Sequence, residues 1–97
     1  MPRVVYSATA VEHLARLFEH LSEIDPSIAR KAAAHFRSAV QLSRDHPFVG
    51  RRVHGEIREL VISYGRTGYV VLYRFVPGRD QVRILAIRHQ RELGYPH

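Results

Sequence analysis

Residues 57–89, IRELVISYGRTGYVVLYRFVPGRDQVRILAIRH, decide the fold of this 97-residue chain. Three runs rich in β-branched and aromatic residues, 57–63, 69–76 and 82–89, are separated by Tyr64-Gly65-Arg66-Thr67-Gly68 and Pro77-Gly78-Arg79-Asp80. Breaks that carry glycine and proline let a chain reverse, so the three runs predict consecutive antiparallel strands in a meander. A strand with one wet face alternates apolar and polar residues. Tyr69–Tyr73 and Ile84–Ile87 do not alternate, which predicts a sheet apolar on both faces.

Ahead of the meander the apolar spacing lengthens to three and four residues. Val4–Tyr6 reads as a short strand. Thr9-Ala10-Val11-Glu12 has the spacing of a capping box, in which a threonine oxygen and a glutamate satisfy free helix amides. Val11, Leu14, Leu17, Phe18 and Leu21 then share one side of a helix, with Glu12, Arg16, Glu19, His20 and Glu23 around the rest. Asp25-Pro26 opens a second helix, aspartate as its cap and proline in its first turn. Small residues in the stripe Ala29, Ala32, Ala33, Phe36 and Val40 let the first helix come close, which predicts an antiparallel hairpin. His46-Pro47 closes the second helix, because the residue before proline resists helical torsions. Residues 47–56, PFVGRRVHGE, read as a loop.

The expectation is one α+β domain over residues 1–97: a short N-terminal strand, then an antiparallel helical hairpin packed on one face of an antiparallel sheet, in the order β-α-α-β-β-β. About eight residues follow His89. The sheet face away from the hairpin is therefore expected to stand bare and to be covered by a partner protein. Folding of the tail and loop 47–56 over it is the alternative.

Charge is unevenly placed. Residues 1–50 hold six Lys+Arg against five Asp+Glu, while residues 51–97 hold nine against four. All the basic residues but Lys31 are arginine. Arginine offers a planar fork of donors to phosphates and carboxylates, so a nucleic acid or an acidic protein is the natural partner. An arginine-rich genome gives the same composition on any surface; the concentration in one half points to a functional basic face. Without cysteine there is no disulfide framework, thiolate metal site or cysteine nucleophile. Glu12 and His13 interrupt any signal-peptide core, and no apolar run near the sheet region approaches a membrane span, so a cytoplasmic protein is expected.

Seven histidines raise a metal reading. His13 and His20 share a helix face but stand about 10.5 Å apart along the axis, too far to hold one ion. Neither a metal nor a cofactor is expected. Gly65-Arg66-Thr67-Gly68 is too short to cradle a phosphate and reads as a hairpin turn. Neither helix has the basic face of a major-groove reader.

The stretch from Pro47 to Tyr95 resembles the RelE/ParE superfamily of toxins. The resemblance rests on His46-Pro47 followed by Gly50-Arg51, on Ile57-Arg58-Glu59-Leu60, on Tyr69-Val70-Val71-Leu72-Tyr73-Arg74, and on Ile84-Leu85-Ala86-Ile87-Arg88-His89-Gln90-Arg91. Tyr6, Ala8 and the hairpin extend it over nearly the whole chain. It implies the toxin of a type II toxin–antitoxin module, silenced in a hetero-oligomer by a cognate acidic antitoxin. Tyr69, Val71, Tyr73, Ile84, Ala86 and Arg74 are the candidate antitoxin contacts.

Two mechanisms occur in the superfamily. RelE-like members cut messenger RNA on the ribosome, which needs a base, an acid and cations about the phosphate. Several of them carry an arginine early in the strand matching YVVLYRF; here that position falls at Val70 or nearby. ParE-like members act on DNA gyrase and hydrolyse nothing themselves. The valine favours the ParE-like reading, with Arg88, Arg91 and Tyr95 as candidate target contacts. Under the ribonuclease alternative the candidates are His89, Arg66 and Arg58. For His89 a strand-end histidine bonded to backbone is the preferred, plainer reading. Alternation is expected to keep Arg88 and His89 on opposite faces and off a common phosphate. A non-toxic RNA- or ribosome-associated module of the same fold is the third reading.

Overall fold

The first strand ends where Ser7 takes over two jobs. In the computed structural model, which describes residues 1–64 and 67–89 (backbone only at 63, 64 and 67), β1 spans Arg3–Tyr6 and α1 spans Ala8–Ile24. Ser7 Oγ accepts the Ala10 amide at 3.0 Å and donates to the Leu85 carbonyl at 2.9 Å. The helix cap is thus Ser7, not the expected Thr9. Ser7 stands at the junction where one hydroxyl can serve both the helix and a strand, while Thr9 is exposed within the first turn. Ala10, Leu14, Leu17, Phe18 and Leu21 point inward, and Val11 faces out.

Asp25 caps α2, Pro26–Asp45, by accepting the Ser27 amide, and Pro26 fills its first turn, as the sequence predicts. Ala29, Ala32 and Phe36 are buried beneath α1, and His46 closes the helix. Three strands then follow as a meander: β3 Ile57–Tyr64, β4 Thr67–Val76 and β5 Gln81–His89, the last two joined across a short 3-10 turn at Pro77–Arg79.

Two features go beyond the expected plan. Arg51–His54, read as loop, forms β2, an exposed edge strand antiparallel to β3. An outer edge demands no buried side, so its polar sequence sends no strand signal. β1 lies parallel to β5, giving a mixed sheet in the order β1-β5-β4-β3-β2.

The core lies between the hairpin and one sheet face. Ile62, Val71, Tyr73, Val82, Ile84 and Ile87 meet Ala10 and Phe36, with Leu14, Leu17 and Val40 packed around them. The expectation of a bare opposite face is corrected. At its centre Val70 is 0% exposed and Ala86 6%. Burial this complete means that the centre of this face is already covered within the chain. The apolar exposure sits instead toward the β3 side, where Val61 is 52% exposed.

Candidate functional site

β1 covers β5 only from Gln81 to Ile84, and beyond that point no strand among the described residues lies beside the outer edge of β5. A bulge falls at the same place: Leu72 pairs Ala86 and Tyr73 pairs Ile84, so Leu85 is the extra residue. Bulges redirect side chains and end pairing, and they concentrate beside functional sites. Ser7 takes the Leu85 carbonyl, and His13, one and a half turns along α1, takes the Ile87 amide through Nδ1 at 3.2 Å. The helix thereby completes the sheet edge with a side chain.

That contact builds a cleft. His13, Arg16, Leu17 and His20 line it from one stripe of α1, and Tyr69, Ile87, Arg88 and His89 from β4 and β5. It is open to solvent, with a volume of about 400 Å³, and among the described residues no acidic side chain lines it. Arg88 Nη1 lies 3.4 Å from His13 Nε2. The Tyr69 and His89 rings stand edge to face, centroids 5.3 Å apart. Arg16 pairs with Glu12 one turn back on the helix. The expected separation of Arg88 from His89 is therefore corrected: alternation holds along β5, yet at an uncovered edge Arg88 reaches round to His13 and both residues face one cleft.

Arg58, a ribonuclease candidate, is committed elsewhere. Its Nη1 donates to the Gly50 and Phe48 carbonyls at 2.9 and 3.2 Å, and its guanidinium lies 5.0 Å over the Phe48 ring. It clamps the loop after α2. Tyr73 works beside it: its hydroxyl accepts the Gly50 amide at 2.8 Å and donates to the Pro47 carbonyl at 2.9 Å. Burial raises the Tyr73 phenol above its ordinary value, opposed by the Gly50 hydrogen bond and the charge of Arg58. Arg51 pairs with the buried Glu59 at 2.7 Å. Arg66, Arg91 and Tyr95 lie outside the described residues.

The candidate antitoxin contacts divide. Tyr69, Val71, Tyr73 and Ile84 point toward the helices, and the last three are fully buried in the chain's own core. Val71, Tyr73 and Ile84 cannot meet a partner without opening that core, because period-two alternation gives them to the hairpin face, whereas Tyr69 reaches the open cleft. Ala86 and Arg74 are on the other face, Arg74 exposed. The sequence reading weighed His13 only with His20, as a metal pair, and gave Arg16 no place in a site. The signal for both was the polar stripe His13, Arg16, His20 flanking Leu17 at helical spacing. Among the described residues no group of three or more metal-binding side chains occurs.

The profile of the family described as the ParE toxin of the type II toxin–antitoxin system parDE matches residues 4–94. The chain belongs to the ParE toxin family. Among its relatives is toxin RelE3 of Caulobacter vibrioides, 36% identical over 92 residues that make up 95% of this chain and 98% of that protein. Toxin RelE2 of the same organism is 28% identical, covering 96% of this chain and all of that one. A chain from the chromosomal ParDE system of P. aeruginosa has the same fold, with a TM-score of 0.70 at 22% identity over 92% of this chain and 96% of its own length. This ParE-family protein is the toxin of a type II toxin–antitoxin system, and such a module pairs it with a cognate antitoxin. No helix among the described residues is long and apolar enough to cross a membrane.

Proposed function

We propose that this toxin poisons DNA gyrase and hydrolyses nothing itself, and that its antitoxin silences it in a cytoplasmic complex. One observation carries the gyrase reading. The strand position at which several RelE-like ribonucleases present an arginine to the phosphate falls at Val70 or nearby, and Val70 is apolar and fully buried. No cation reaches a scissile bond from there, and Arg58, the next candidate along the sheet, is held by backbone carbonyls. Membership of the ParE family supports the same reading. The test is to add purified toxin to gyrase and, separately, to translating ribosomes. Loss of supercoiling with intact message is the expected result; codon-dependent cleavage of the message overturns it.

A second reading has its own observation. Arg88 and His89 share a cleft with His13, which places a cation beside two imidazoles, the side-chain types of an RNA-cleaving site. Under that reading His89→Ala abolishes message cleavage.

For the antitoxin, the groove between α2 and β3 is the surface of choice. Leu42 and Val61, 42% and 52% exposed, line it with His35, Ser38, Ala39 and Leu60. An amphipathic segment of the antitoxin covers these side chains, while its acidic residues meet the arginines nearby. Val61→Asp is expected to weaken the complex by about tenfold or more in a titration of the two proteins; an unchanged affinity removes the groove from the interface.

A further inference from the structure

His13 is set between two hydrogen-bond donors. A neutral imidazole has a single acceptor nitrogen. The Ile87 amide approaches Nδ1 at 3.2 Å and the Arg88 guanidinium approaches Nε2 at 3.4 Å. The amide is fixed by the sheet and cannot turn away, so Nδ1 accepts it and Nε2 carries the ring hydrogen. The Nε2–H of His13 and the Nη1–H of Arg88 then converge, donor against donor, at the wall of the cleft. Among the described residues no carboxylate lines that cleft to receive them. The nearest acidic group on the helix, Glu12, is paired with Arg16.

Two convergent donors, one of them fully charged, form a seat for an oxyanion, since a single oxygen accepts from both and removes the conflict between them. We propose that the cleft between α1 and the end of β5 is a phosphodiester-binding site of a nucleic acid, with a non-bridging phosphate oxygen held between His13 Nε2 and the Arg88 guanidinium. The Tyr69–His89 aromatic pair forms the adjoining wall, the kind of surface on which a nucleobase stacks. A nucleotide carries the oxyanion and the flat ring in one unit, whereas a carboxylate side chain supplies the oxyanion alone. The chain's net charge of +6 draws a polyanion toward it. This site is independent of which target the toxin poisons, because it is read by binding and not by growth arrest or supercoiling.

The test uses the full chain and fluorescently labelled oligonucleotides of about ten residues: single-stranded RNA, single-stranded DNA and duplex DNA. Arg88→Gln is expected to weaken the best of the three by about tenfold or more and to lower the slope of log affinity against log salt by about one. Arg37→Gln, which removes the same charge from the exposed side of α2, is expected to cost less than about twofold. Whichever oligonucleotide binds tightest names the source of the phosphate. Equal losses in the two variants mean diffuse attraction and overturn the site. So does a polyglutamate peptide that competes as well as the oligonucleotide and depends equally on Arg88. An NMR titration of the unaltered chain guards against a misfolded variant: the His13 ring and Arg88 side-chain signals must be among the first to shift, and their standing still overturns the proposal.

Discussion

The two ends of β4 are built on opposite principles. At the Tyr73 end every polar group named is matched. The phenol joins Gly50 to Pro47, Arg58 ties down two further carbonyls, and Phe48 closes edge-on against Phe75. At the Tyr69 end, a strand's length away, His13 and Arg88 aim donors at each other across an open cleft. A matched network fixes the chain and leaves nothing to offer a ligand; an unmatched one holds a standing demand for an acceptor. Structural and functional arginines are therefore told apart here by what their donors already hold, not by how exposed they are.

The sharpest way to break this contrast is at Gly50. A Cβ there meets Tyr73 Cε1 and Oη at 2.6 Å and the Glu59 carbonyl at 2.7 Å. Gly50→Ala is expected to cost about 3 kcal/mol in chemical denaturation, since the backbone oxygen cannot yield. Tyr73→Phe strands the buried Gly50 amide and the Pro47 carbonyl together, for an expected loss of about 2 kcal/mol. The same variant sharpens the comparison at high pH. The folded phenol ionises less readily than the unfolded one, so its contribution is complete below about pH 10 and is lost as the pH climbs through and beyond that value. Tyr73→Phe should flatten this alkaline decline, leaving the part due to Tyr6, whose phenol burial also raises. Ser7→Ala removes the α1 cap and the tie to Leu85, with an expected cost of about 1 kcal/mol. Arg88→Gln stands at the far end of the scale: its denaturation midpoint should hardly move while nucleic-acid affinity falls. A stability loss matching that of Tyr73→Phe would show that both ends of the strand are structural.

Much of this was legible in the chain before folding. The change of period at Ile57, the turn after β4, and the Asp25-Pro26 and His46-Pro47 boundaries all express local rules, and the structure follows them. β2 was not legible, because Arg51-Arg52-Val53-His54 is an edge strand with nothing to bury. The parallel pairing of β1 was hidden for a different reason: Arg3 and Gln81 become neighbours through the whole fold, and no short window of sequence contains both. Thr9 misled because a capping pattern can match two residues inside a helix whose true start is set by a distant carbonyl. For the cleft, residue types alone named Arg88 and His89. His13 entered only once α1 had a register against the free edge of β5, and alternation, sound along the strand, does not govern an edge with no neighbour.

The pairing of Arg3–Tyr6 with Gln81–Ile84 also sets a clock. β1 must wait for β5, since its partner strand is still unsynthesised when both helices are already available to form. The cleft waits with it, because His13 is seated by the amide of Ile87. A message broken before that point leaves β1 without its partner and the cleft without its second wall, so a poison assembled in this order comes into being only once β5 has been made.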